Sequence, residues 1–378
     1  VNEDKATRYH RLKRTVGIAS IAWTAVLLVA LLATGASLWL RDAADALALS
    51  LAPGWRAPAA VGIYVVLLAL VNEVGGLPLA FYGGFLVERR YGLSNQRLPD
   101  WILDQIKSLA VGLVLGVGAA SIVYFFIRRG SNWWLPVSAV FSLLIVGLAN
   151  LGPVLLLPLF YSFKPLQRES LTARLLSLAE RAGARVLGVY EWGLGSKTKK
   201  ANAALTGLAR TRRILVSDTM LADYSDDEIE IVLAHELAHH VHGDIWKGLA
   251  FESALMLAGF FAAAQVLSRS IGALGLSGPG DVAGLPLLLL VVGAVSLVTA
   301  PITHAWSRAH ERRADRFALE LTRNPAAFIT AMRRLGTQNL AEEHPSRIVQ
   351  WLFHSHPPMR ERIAAAQQYG ARIAARPS

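Results

Sequence analysis

Cysteine is absent from all 378 residues. Disulfides, thiol nucleophiles and cysteine-ligated zinc are thereby excluded, and His, Asp and Glu remain as the side chains able to hold a metal ion. Charge is sparse as well: 17% of the residues are charged against 53% apolar, and the mean hydropathy is +0.39. That balance excludes an ordinary soluble protein and points to a polytopic membrane protein. Acids are in deficit, with 27 Asp and Glu against 38 Lys and Arg. In a membrane protein such an excess marks cytoplasmic loops rather than a nucleic-acid surface. The apolar run after Arg14 is too long for a cleavable leader and lacks a clear cleavage site, so it reads as an anchor.

Apolar runs long enough to cross a bilayer of about 30 Å occupy residues 16–40, 59–87, 102–127, 133–163, 245–267 and 285–306. Six spans are clear. The run at 133–163 is interrupted by Gly152, Pro153 and Pro158 and reads as one kinked helix or as two spans. Residues 164–244 carry eleven Lys or Arg and residues 307–378 carry twelve Arg, which puts both on the cytoplasmic side. The basic N-terminal arm, with Lys5, Arg8, Arg11, Lys13 and Arg14, belongs there too and requires an even number of spans before residue 164. Asn72 and Glu73 fall inside the second run, where a polar or ionisable side chain marks a functional hypothesis and a watery interior. The expected organisation is an N-terminal transmembrane region (1–163), a cytoplasmic catalytic segment (164–244), two further spans (245–306) and a cytoplasmic helical region (307–378).

Within 164–244 the spacing predicts a helix over 170–182 ending at Gly183, and short strands within 184–192 and 213–216. Ser225 and Glu228 stand in capping-box spacing at the start of a helix that runs through VLAHELAHHVHGD (232–244). On that helix His235 and His239 lie one turn apart on one face, so two imidazoles can reach one ion, with Glu236 beside them and not required as a ligand. His242 shares the face, but two turns separate it from His235, about 10.5 Å along an unbroken helix, too far for one zinc. A catalytic zinc needs a third protein ligand and an open position for water. Glu311, in SRAHERRADRFALE (307–320), is the best candidate, and Asp315 one turn later is placed to accept a hydrogen bond from a ligand imidazole. Spacing alone leaves open that Glu311 only pairs with Arg308 or Arg312 on a solvated helix.

HELAHH (235–240) together with SRAHERRADRFA (307–318) resembles the integral-membrane zinc endopeptidases of the type I CAAX prenyl protease family, and more loosely the HtpX-like quality-control proteases. GSKTKKANAALTGLARTRRILVSDTML (195–221) and HSHPPMRERI (354–363) extend the likeness. His240 stands where the family commonly has an aromatic residue. The resemblance implies one zinc ion held by His235, His239 and Glu311, with Glu236 as general base. It also implies an edge strand at Asn202, Ala203 and Ala204 that pairs with the substrate backbone, and His356 and Arg362 facing the reacting carbonyl. The implied fold is mostly α: a polytopic helical membrane protein, seven helices around a chamber, carrying a small α/β zinc-protease domain. The implied substrate is a peptide or protein, lipidated chains included, with no nucleic acid. Alanine-rich, Arg-over-Lys composition suggests a GC-rich bacterial source, hence an inner-membrane enzyme with its site on the cytoplasmic side. Farnesylated proteins would then be absent, so the family name does not specify the substrate.

A competing class is a transporter or lipid-handling protein with a structural zinc. It requires a fourth protein ligand, for which His242, His304 and His310 are the candidates.

Overall fold

The computed structural model describes residues 4–207 and 211–375; residues 208–210, inside the 195–221 segment, lie outside the described residues. Helix α1 (Lys5–Ala33) is capped by Asp4, whose carboxylate accepts the Thr7 N–H at 2.6 Å. The first apolar run does not continue to residue 40. Thr34 and Gly35 break it, Gly35 taking a left-handed φ of 74°, and a 13-residue helix α2 (Ala36–Ala48) follows. Trp39 and Trp55, 73% and 71% exposed on either side of the next turn, fit the aromatic belt of a membrane interface. Helix α3 (Pro53–Ala80) passes through a π-helical turn at Phe81–Leu86 into α4 (Val87–Arg90). Helix α5 (Leu98–Ile127) and α6 (Trp134–Leu155) come next. The 133–163 run is thus one span: α6 ends just after Pro153, a short 3-10 turn covers Leu157–Leu159, and Phe163 already belongs to strand β1 (Phe163–Pro165).

The polar segment folds as α7 (Glu169–Arg181), β2 (Val189–Trp192), β3 (Ala203–Thr206), β4 (Arg213–Ser217), α8 (Asp218–Asp223) and α9 (Asp226–Val241). The strands form a sheet in the order β1-β2-β4-β3, parallel only between β2 and β4, so β3 lies at an edge. Helices α10 (Asp244–Ser270), α11 (Leu285–Thr322), α12 (Pro325–Gln338), α13 (Arg347–Phe353) and α14 (Met359–Ala374) complete the chain. Six helices among the described residues are long and apolar enough to cross a membrane: Lys5–Ala33, Pro53–Arg90, Leu98–Ile127, Trp134–Leu159, Asp244–Ser270 and Val282–Thr322. The last continues unbroken past the membrane-spanning part into the polar motif at 307–320.

Four of those helices precede residue 164, the even number the charge pattern requires. The N-terminal arm does meet the polar segment. Tyr9 Oη donates to Glu88 at 2.6 Å, Lys200 Nζ reaches Glu88 at 3.1 Å, and Arg14 grips Glu342 with two nitrogens at 2.5 and 3.3 Å.

Two cores result. One packs α7, the sheet, α9 and α12 through Leu171, Leu175, Ile214, Leu233 and Phe328, all fully buried. Each such side chain contributes about 1.5–3 kcal/mol by leaving water. The other lies among the spans around Tyr64, Tyr124, Val137 and Leu267, where lipid removes the hydrophobic drive and close packing has to substitute. Gly75 illustrates that: a Cβ there would stand 2.0 Å from the Trp23 ring, whose Nε1 donates to the Asn72 carbonyl. Asn72 also accepts from Thr24 at 3.1 Å, so it clasps α1 to α3. At the far end of the bundle Arg41 pairs with buried Asp281 at 2.8 Å, and Asp281 also accepts from Ser277 N, Ser277 Oγ and Ala283 N.

Candidate metal centre

Helix α9 begins where the sequence places it. Ser225 Oγ accepts the Glu228 N–H and the Glu228 carboxylate accepts the Ser225 N–H, closing the capping box. Its histidines face α11. His235 Nε2 is 3.2 Å from Glu311 Oε2, and His239 Nε2 is 3.4 Å from Glu311 Oε1. Among the described residues, these three form the group whose ligand atoms all lie within 4.8 Å of one another. Donors bound to one tetrahedral zinc by bonds of 2.0–2.1 Å stand about 3.3–3.4 Å apart, so the separations fit a single ion. Glu311 is buried, and its Oε2 has no hydrogen bond of acceptable geometry although nitrogens of His235 and His356 stand close. A buried anionic oxygen left this way is costly unless a cation completes it.

Each histidine is held by an aspartate on its other nitrogen. His235 Nδ1 meets Asp315 Oδ1 at 2.9 Å, and His239 Nδ1 meets Asp244 Oδ2 at 3.1 Å. Each aspartate is held in turn by an arginine. Arg362 donates through Nε and Nη2 to Asp315 at 2.8 and 2.6 Å, and Arg313 pairs with Asp244. The Asp244 arm is absent from the sequence reading. It depends on Gly243, whose left-handed φ of 65° turns the chain back after α9 and brings Asp244 under His239. The sequence signal was the Gly-Asp pair directly after the histidine helix.

Arg362 is buried on the Nδ1 side of His235, where two of its nitrogens donate to Asp315. His356 stands nearer the opening, its side chain 63% exposed and its Nδ1 2.8 Å from Glu311 Oε2. None of the fourth-ligand candidates joins the group of His235, His239 and Glu311 among the described residues: the His242 ring packs edge-on against Phe317 at 5.5 Å, His310 lies against Trp306 beside the His239 cavity, and His304 lines the adjoining one. Asn202 is exposed at the start of β3. Its backbone N–H bonds Ser217 Oγ and its carbonyl accepts the Ser217 N–H, while Ala203 and Ala204 pair with β4 on one side.

Burial raises the Glu236 carboxyl above its ordinary value, against the pull of the His235 and His239 charges. Burial disfavours charge on His235, yet the facing carboxylates of Asp315 and Glu311 prevail and hold the metal-free imidazole at about 9. Three adjoining cavities lead inward from this centre. One of about 210 Å³ is lined by His239, Phe251, Glu252, Trp306, His310 and Glu311. It shares Glu252 and Thr303 with a second of about 420 Å³, which shares Phe141 and Phe260 with a third of about 400 Å³ among the spans. Asn72 lines that third cavity, whose walls are apolar rather than watery.

Residues 165–369 match peptidase family M48, and residues 2–162 match the CAAX prenyl protease N-terminal region, described as five membrane helices. The chain belongs to peptidase family M48. Over residues 2–162 the described residues hold four helices long and apolar enough to cross a membrane. Similar proteins include the uncharacterized metalloprotease YhfN of Bacillus subtilis, 32% identical over 313 residues, or 81% of this chain and 72% of that one. CAAX prenyl protease 1 of Saccharomyces cerevisiae is 26% identical over 328 residues, covering 80% of this chain and 71% of the relative. The crystal structure of S. mikatae Ste24p shares the fold, with a TM-score of 0.83 at 22% identity over 96% of this chain and 88% of that one. This M48 member is an integral membrane metalloprotease acting on peptide or protein substrates.

Proposed function

We propose that the chain is a zinc endopeptidase, with His235, His239 and Glu311 as the zinc ligands. The observation that carries this reading is the buried Glu311 carboxylate, 3.2 and 3.4 Å from one nitrogen of each histidine, with an oxygen that lacks a hydrogen bond. When bound, zinc supplies a Lewis acid and lowers the pKa of water to about 7.

The side chains do the rest. Glu236, next to His235 and free of ligand duty, takes the proton of the attacking water and returns it to the leaving amine. Its burial, which raises its proton affinity, suits both halves of that transfer. Asp315 and Asp244 fix the tautomers of His235 and His239, and Arg362 and Arg313 orient those aspartates. His356, at the opening, donates to the oxygen that gains charge. The free edge of β3, along Asn202, Ala203 and Ala204, offers an extended substrate a place to join the sheet as a further strand.

Residues 164–244 and 307–378 form the protease unit, on the cytoplasmic face of a bacterial inner membrane, between the membrane regions 1–163 and 245–306. The cavity series beyond Glu311 suits substrates carrying an apolar or lipidated segment. CAAX prenyl protease 1 among the relatives supports that extension. Replacing Glu236 with Gln tests the reading. The variant is expected to keep one zinc per chain and lose cleavage by about 10²–10⁴-fold. Native cleavage in Glu236→Gln would remove the mechanism.

A further inference from the structure

We propose that α13 (Arg347–Phe353) is an interfacial lipid-binding helix that fastens the His356 segment to the bilayer surface. Its composition is unusual for the polar half of the protein. Ile348, Trp351 and Phe353 are 71%, 54% and 43% exposed, on a helix of seven residues that begins with exposed Arg347. An apolar patch of this kind on a water-facing surface is unfavourable and implies a partner. None of the three cavities leading inward from the metal centre is lined by these side chains.

The height of α13 identifies the partner. Two pins hold it at the level where spanning helices leave the bilayer. On α11, Arg308 Nη1 donates to the carbonyls of Gln350 and His354 at 3.0 and 2.6 Å, just two residues beyond the end of the apolar run. On α1, Arg14 grips Glu342 and His10 Nε2 bonds the Leu340 carbonyl at 2.8 Å, just before the apolar run begins at Val16. The neighbouring helix α10 emerges at the same height, since His310 on α11 lies 3.7 Å from Asp244, and there Trp246 is 56% exposed. Below this level α11 presents Ile302 and Val298, 60% and 76% exposed, which face lipid in an integral membrane protein. On this proposal the exposed apolar side chains of α13, which is pinned to α11 through Arg308, continue the membrane surface of α11. A basic residue at its start, an aromatic in its middle and apolar neighbours are the composition of a helix lying among lipid headgroups.

The consequence falls on the metal centre. His356 follows Phe353 by three residues, so lipid contact at α13 fixes where the segment bearing His356 can sit. This holds whether or not zinc is the metal.

The absence of cysteine makes the test direct, because any introduced cysteine is unique. Spin labels are attached to Ile348→Cys, Trp351→Cys, Val298→Cys and Arg372→Cys in the full chain, reconstituted in phosphatidylethanolamine–phosphatidylglycerol vesicles. Labels at 348 and 351 are expected to collide with oxygen as the Val298 label does. They should meet a water-soluble nickel chelate at least about threefold less often than the Arg372 label, which lies on an exposed turn of α14. Nickel access equal to that at 372 would overturn the proposal, as would exclusion of both reagents, which would mean contact with a second protein copy. A label at Ser355→Cys then reads the fastening. Adding Ile348→Glu and Trp351→Glu should loosen it while a label at 372 keeps its mobility, and an unchanged Ser355 label would overturn that half.

Discussion

Two of the places where the protein buries charge, at opposite ends of the helix bundle, are built differently. At the far end of the helix bundle Asp281 receives Arg41, two donors of Ser277 and the Ala283 N–H, so its oxygens are fully engaged. Ser37 nearby bonds Tyr64 Oη and the Ala283 carbonyl, at 2.7 and 2.6 Å. At the other end, the Asp315 and Asp244 arms are comparably satisfied, but they converge on a Glu311 oxygen that is buried without a hydrogen bond. A closed network holds two helices together. An open one, held rigid from behind by two Arg–Asp–His series, is what a metal site with room for a reactant requires.

The sharpest break of this contrast is Glu311→Ala. It removes the open carboxylate, and zinc content should fall from one per chain to near zero with cleavage lost altogether, read by metal analysis and peptide assay. Asp315→Asn and Asp244→Asn leave the ligands in place and weaken only the backing. Zinc affinity should drop by about 10–100-fold in each, and a result near unity for Asp244→Asn would mean that the two arms are not equivalent.

Proton competition gives a finer probe. The metal-free His235 is held at about 9, so at neutral pH its proton must leave when a metal enters. Zinc affinity, measured by competition with a chelator, should therefore rise by about tenfold per pH unit below that value and level off above it. Calorimetry in buffers of different ionisation enthalpy should detect the released proton. The smallest effect on chemistry belongs to the closed network. Asp281→Asn weakens the bonds from Arg41, Ser277 and Ala283, while Arg41 keeps Asp42, and should cost about 1–3 kcal/mol of stability, while cleavage per folded molecule stays at the native level. A large loss of activity in folded Asp281→Asn would erase the distinction between the two ends.

The parts legible in the sequence were those with local signatures. A turn-spaced histidine pair and a capping box report on one helix and need no tertiary information, which is why α9 was readable from Ser225 onward. Long apolar runs report on spans for the same reason. Boundaries inside such runs were not legible. The break at Thr34–Gly35 and the early end of α6 lie within uniformly apolar stretches, so hydropathy could not mark α2 or β1. Glu311 was reachable from spacing only as one of two alternatives, and the resemblance decided between them, because two residues 76 positions apart carry no periodic relation. Asp244 went unseen because its role arises from a chain reversal at Gly243. The Arg41–Asp281 pair, 240 residues apart, depends wholly on how the helices pack.

The most direct test of the central claim is zinc K-edge absorption on the purified native protein, alongside metal analysis. The account predicts one zinc per chain with two imidazoles, one carboxylate and one oxygen from a non-protein ligand in its inner sphere. A spectrum showing a third imidazole in place of that oxygen, or a protein that binds no zinc, would contradict it.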